Sequence, residues 1–171
     1  MRPLLGGRGR GEGAPPLIAA DAWIGKGAVI GAGVVLGDGV IVDHHAIVEE
    51  DVRIGAGTLL CYRAQVCEEA VVGSGCVIGG FVGERSVVGD GCRVFGALVH
   101  RHPRAWAGWD DDDAMVDGPR LGARVFVAFG AVLVGAISVG DGAYLGANAV
   151  VTADVPAGGT VGPLEHWGRS A

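Results

Sequence analysis

Aromatic side chains are scarce in this sequence: Phe, Tyr and Trp make up 6% of 171 residues, although half of all residues are hydrophobic. A core without large rings has to be built from small aliphatics. No run approaches the roughly 20 apolar residues that cross a bilayer as a helix. The opening Met1-Arg2-Pro3-Leu4-Leu5-Gly6-Gly7-Arg8 has no apolar stretch of signal-peptide length. Cations are few as well. Thirteen Lys and Arg face 19 Asp and Glu, a net charge of −6, which argues against nucleic acid or an anionic membrane as the partner. The four cysteines, Cys61, Cys67, Cys76 and Cys92, form no Cys-x-x-Cys pair. A zinc ribbon is therefore excluded on spacing, and small buried fillers in a reducing, cytoplasmic compartment are expected.

What the chain has in abundance is glycine, 33 residues spread throughout, far above the usual ~7%. Interleaved Val and Ile set it apart from disordered Gly-rich chains, and Gly does not recur at every third position as in collagen. A different period is present. Stepping by six from Ile18 gives Ile24, Ile30, Leu36, Val42, Val48, Ile54, Leu60, Val66, Val72 and Ile78, all of them Ile, Leu or Val. The phase then slips to Val82, Val88 and Val94, and resumes later as Leu121, Val127, Leu133, Val139, Leu145 and Val151. A six-residue period drifts around a 3.6-residue helix, so an α-helical reading fails.

Each hexad instead supplies a short flat strand and a corner, and three corners close a triangle. Twenty hexads predict six to seven coils, stacked at about 4.8 Å. The periodic aliphatic points into the prism, and the small residue after it sits by the corner. The expected fold is all-β, a left-handed parallel β-helix over 17–168, with a flexible lead at 1–16 and a tail at 169–171. Residues 99–118, VHRHPRAWAGWDDDDAMVDG, carry two His, two Trp and no periodic aliphatics. A long loop interrupting such an array is commonly functional, and its Trp residues suit packing on a neighbouring subunit.

The stretch LGARVFVAFGAVLVGAISVGDGAYLGANAVVTADVP at 121–156 resembles the C-terminal coils of the hexapeptide-repeat acyltransferases. The ending VGPLEHWG resembles their nucleotide-sugar N-acyltransferase branch, as does GERSVVGDGCRVFGALVHRHPRA at 83–105. The His102-Pro103 pair is similar to that of the maltose- and galactoside-type O-acetyltransferases. The resemblance implies a homotrimer with active sites between subunits. It also implies acetyl-CoA or another acyl-CoA as the acyl donor, a small-molecule acceptor, no metal, and His102 as the catalytic base. The pantetheine track falls beside Phe129, Ala147 and Thr152.

The residues themselves leave alternatives open. A histidine titrates near working pH and suits acyl transfer, and His100 and His102 face the same way on an extended chain. That spacing serves a hydrogen-bonded pair or two metal ligands. Glu50 serves as a base only if burial raises its pKa. Otherwise it is a solvated corner, as are His44 and His45. Asp110–Asp113 suits a divalent cation, a cationic substrate or plain solvation. Arg104, Trp106, Trp109 and Asp110 are candidate acceptor contacts, with a subunit contact as the other role for the two rings. A member of the same fold that does not use CoA, such as a metal-dependent lyase like the γ-class carbonic anhydrases, another small-molecule enzyme or a non-catalytic scaffold, is the alternative function.

Overall fold

A computed structural model describes residues 13–101 and 117–168. The chain winds as a left-handed β-helix with three parallel sheets and no helix among the described residues. The first sheet stacks strands at 17–18, 35–36, 53–54, 71–72, 87–88, 120–121 and 138–139. The second stacks 23–24, 41–42, 59–60, 77–78, 93–94, 126–127, 144–145 and 160–161. The third stacks 29–30, 47–48, 65–66, 81–82, 97–99, 132–134, 150–151 and 166–167.

The period of six causes this. In each two-residue strand the second residue points inward, and successive coils place these residues on one another in register, as with Ile41, Leu59 and Val77 outside and Val42, Leu60 and Ile78 inside. Leu36, Val42, Val48, Leu60, Val66, Ile78, Val94, Leu133 and Leu145 are almost wholly buried. Branched aliphatics fill the narrow interior where rings would not fit. The bottom of the stack is open, with Ile18 at 42% and Ile24 at 37% exposure.

Eight coils form rather than six to seven. The hexad count stops at Val151, but the chain slips by four residues to Val155, which bridges Val139, and the period continues through Val161 and Trp167. Two earlier four-residue steps, Ile78 to Val82 and Val94 to Leu98, turn the corner between the second and third sheets. Gly79 and Gly80 make the first of these turns, and a Cβ on Gly80 would run into the Gly96 carbonyl oxygen.

The long interruption begins later than the loss of periodicity suggested. Val99 pairs with Val134 in the third sheet, so the strand carries on one residue past the expected loop start. The chain leaves the prism at the edge between the third and first sheets and re-enters it at Arg120. Residues 102–116 lie outside the described residues.

Candidate active-site edge

The three edges of the prism differ in chemistry. The edge between the first and second sheets turns mostly on glycine, with Gly39, Gly57, Gly75, Gly91 and Gly142 all at positive φ. The edge between the second and third sheets carries Lys26, then Asp43-His44-His45, then Cys61-Tyr62-Arg63. Higher up the same edge holds Phe95, Phe129 and Ala147. The edge between the third and first sheets carries Glu49-Glu50-Asp51, Cys67-Glu68-Glu69, Glu84-Arg85, and then His100 at the root of the loop.

That third edge is where chemistry-bearing groups converge. His100 is buried, 8% exposed, and its Nδ1 lies 2.8 Å from Glu84 Oε2 one coil below. A carboxylate at this distance from Nδ1 fixes the orientation of the imidazole ring. Gln65 Nε2 donates to Glu49 Oε1 at 2.9 Å and approaches Cys67 Sγ at 3.7 Å. Burial, then the charges of Glu49 and Glu84, push the Cys67 thiol far above its ordinary value, so it is no nucleophile at neutral pH. Burial and the neighbouring Glu50, Glu49 and Glu84 carboxylates raise the pKa of Glu68. Arg85 Nε pairs with Glu69 Oε2 at 3.2 Å. Beside the loop root, Arg101, Val134, Gly135, Ala136 and Ile137 line an open hollow of about 280 Å³.

The structure brings some of the sequence-predicted residues together and separates others. His100 sits on this edge. Glu50 shares it but lies three coils lower, roughly 14 Å at the usual strand spacing, so it does not join His100 in one site of one chain. Thr152 is on the same edge above His100, half-buried, its Oγ1 3.4 Å from the Trp167 carbonyl oxygen. Phe129 and Ala147 stack on the opposite rim of the third sheet, linked through Asn148 N to Phe129 O at 3.1 Å. The three residues therefore do not form one track along a single prism. His102, Arg104, Trp106, Trp109 and Asp110 lie outside the described residues.

His44 is occupied structurally: its Nδ1 accepts from Lys26 N at 2.7 Å, and its ring meets Trp23 edge-on at 5.4 Å. All four cysteines are free thiols. Among the described residues no group of His, Cys, Asp and Glu is arranged to hold a metal ion, and no helix is long and apolar enough to cross a membrane. Sequence reasoning missed Glu84, Glu49, Gln65 and Cys67 as neighbours of this edge. The signal was present in the coil spacing, since Glu50, Glu68 and Glu84 recur at intervals of 18 and 16 residues and His100 follows 16 later.

No family model matches the chain. Serine acetyltransferase from Helicobacter pylori, in two strains, is 57% identical over 42 residues, 25% of this chain and 25% of that enzyme. The match thus spans a quarter of the length of these relatives. Among solved structures, UDP-N-acetylglucosamine acyltransferase from Campylobacter jejuni superposes with a TM-score of 0.52 at 17% identity, covering 87% of this chain and 66% of that one. The Arabidopsis UDP-N-acetylglucosamine acyltransferase gives a TM-score of 0.45 at 20% identity, over 87% of this chain and 64% of that one. The chain shares the hexapeptide-repeat fold of the Campylobacter acyltransferase.

Proposed function

We propose that this protein transfers an acetyl or related acyl group from a CoA thioester to an amino or hydroxyl group of a sugar or similar small metabolite, in a cleft between the subunits of a homotrimer. The observation that carries the reading is the buried His100–Glu84 pair at the root of the 102–116 segment. It sits in a fold whose solved and sequence relatives bear acyltransferase names. In this reading His102 is the general base and takes the proton from the acceptor N–H or O–H as that atom attacks the thioester carbonyl. The tetrahedral oxyanion collapses, the C–S bond breaks, and the CoA thiolate leaves and is protonated. His100, held by Glu84, positions the segment that carries His102. Arg104, Trp106, Trp109 and Asp110 contact the acceptor, and Phe129, Ala147 and Thr152 line the pantetheine from different subunits.

One observation favours a second reading, a protein of this fold that does not use CoA. Glu165 Oε2 accepts from Gly162 N at 2.6 Å. A carboxylate already occupies one of the bare amides that phosphate binding would want, and Phe129 stands 78% exposed two coils below on the same edge. Calorimetric titration with acetyl-CoA separates the two. Saturable binding, followed by acetyl transfer to a panel of amino sugars, sugar alcohols and serine, supports the acyltransferase. No heat at millimolar acetyl-CoA, in a sample whose melting temperature is also unmoved by it, supports the second reading.

A further inference from the structure

We infer that the hollow at the root of the 102–116 segment is a carboxylate-binding subsite, and that one substrate of this protein carries a free carboxylate into it. The inference rests on the proposed acyl transfer and narrows it, to a dicarboxylic acyl chain on the donor or an amino or hydroxy acid as the acceptor. Arg101, Val134, Gly135, Ala136 and Ile137 line the hollow. One of the five is a cation and none is an acid.

The cation is uncommitted. Arg85, one coil below, pairs with Glu69 at 3.2 Å, and Arg120, where the chain re-enters the prism, pairs with Asp117 at 3.3 Å. Arg101 makes no ion pair among the described residues. Glu84, the acid one coil beneath this corner, faces His100 instead. A Cβ built on Gly135 would fall 3.6 Å from Arg101 Nε and 3.9 Å from Nη2, so the guanidinium lies alongside the Gly135 backbone. Gly135 is at φ 92°, a conformation that only glycine adopts freely.

A second donor stands at the same corner. Lower on this edge the third corner residue gives its N–H to the coil beneath: Asp51 N to Ala32 O at 2.9 Å, Glu69 N to Glu50 O at 3.1 Å, and Arg85 N to Glu68 O at 3.0 Å. Ala136 holds that position, but the chain below it leaves the prism after Arg101. The turn tightens instead, with Gly135 N on Val99 O at 2.8 Å and Ile137 N on Gly135 O at 2.7 Å. Among the described residues the Ala136 N–H has no acceptor. Ala136 is exposed, so water satisfies that donor until a ligand replaces it.

Donor number and size choose the ligand class. A guanidinium presents a planar fork that matches the two oxygens of a carboxylate. A diphosphate wants several cations or a nest of bare amides, and this hollow offers one of each. Its volume of about 280 Å³ lies below the roughly 300–1,000 Å³ of sites that enclose a drug-sized ligand, so it does not hold a nucleotide. The apolar remainder, Val134 and Ile137, suits the few methylenes of a short acyl or amino-acid chain.

Succinate and its neutral diamide, titrated calorimetrically into the wild type, Arg101→Gln and Arg101→Lys, test the subsite without a turnover assay. Arg101 is exposed, so both variants are expected to fold and melt with the wild type. The wild type should bind succinate saturably and about tenfold or more tightly than the diamide. Arg101→Gln should abolish that preference, and Arg101→Lys should keep part of it, because the charge stays while the fork is lost. Two kinetic arms then locate the carboxylate. If the donor carries it, Arg101→Gln lowers the kcat/KM preference for succinyl-CoA over acetyl-CoA by about tenfold or more. If the acceptor carries it, the same variant lowers the preference for serine over serinamide by a similar factor. Equal wild-type affinity for succinate and the diamide, a preference that Arg101→Gln leaves intact, or unchanged ratios in both arms would overturn the inference. Failure of both thioesters to bind, with succinate still held through Arg101, removes the acyl-transfer reading and leaves the subsite standing.

Discussion

His100 and Glu84 belong to successive coils of one prism edge and meet with Nδ1 2.8 Å from Oε2. The loop that follows His100 therefore starts from a fixed point. His102→Ala is expected to lower turnover on the true acceptor by about 10²–10⁴-fold with assembly intact. Glu84→Gln keeps the shape but removes the charge beside His100 Nδ1, and its effect should be smaller, mainly on kcat. Steady-state kinetics of the two variants at several pH values checks both. Unchanged rates in both would place the chemistry elsewhere.

Val139 is 2% exposed inside the stack, and Val139→Asp puts an unpaired carboxylate there. A loss of about 3–5 kcal/mol is expected. Asp141 lies on an outer corner and accepts from Ala123 N at 2.9 Å. Asp141→Asn keeps an acceptor oxygen and should cost less than about 1 kcal/mol. Equal urea midpoints for the two variants would contradict the inward assignment of Val139.

Gly80→Ala tests the tight corner. The added methyl meets the Gly96 carbonyl oxygen of the next coil, where backbone has no room to move aside. The variant should lose about 2 kcal/mol or more. Gly57→Ala meets nothing within 4 Å and pays only for its positive φ of 65°, about 1–2 kcal/mol. Thermal melts of the pair rank the two effects.

Alkaline pH should weaken the fold through Cys67. Its thiol is held far above the ordinary range by burial and by the Glu49 and Glu84 charges. The unfolded chain loses this proton near pH 8.5 while the folded chain keeps it, so the folded state binds more protons and stability falls as pH rises. The slope is about 1.4 kcal/mol per pH unit for one thiol, starting above pH 8.5 and absent below it. Cys67→Ala should remove that slope from urea melts between pH 8 and 10. An identical pH dependence in the variant would refute the assignment.

The repeat made the architecture legible, because a branched aliphatic at every sixth residue has one geometric solution. Residues such as Val42, Leu60 and Ile78 needed no long-range information. The last coil was harder to read: the slip from Val151 to Val155 hides Val161 and Trp167 from a fixed step. The candidate site was only partly legible. His100 stood out as a histidine in an aperiodic stretch, but Glu84 looked like any corner acid, and only stacking coils of 18 and 16 residues brings the two together. Phe129, Ala147 and Thr152 were grouped from one continuous motif, whereas in three dimensions a triangular path sends neighbouring hexads to different edges.

The loop also divides the folding problem. Most strands pair with a partner 16 or 18 residues away, as Leu17 with Val35 and Phe81 with Ala97. Across the loop the separation rises to 33 between Val87 and Arg120 and 35 between Ala97 and Val132. Nucleation can thus occur independently in the stacks before and after the loop, with their docking as the one longer-range step. Closing 33 residues instead of 18 costs only about 0.5 kcal/mol more in chain entropy, and each further doubling about 0.6. A segment at this position is thermodynamically cheap to lengthen, shorten or replace, and selection can rewrite its contents while the prism beneath keeps its stability.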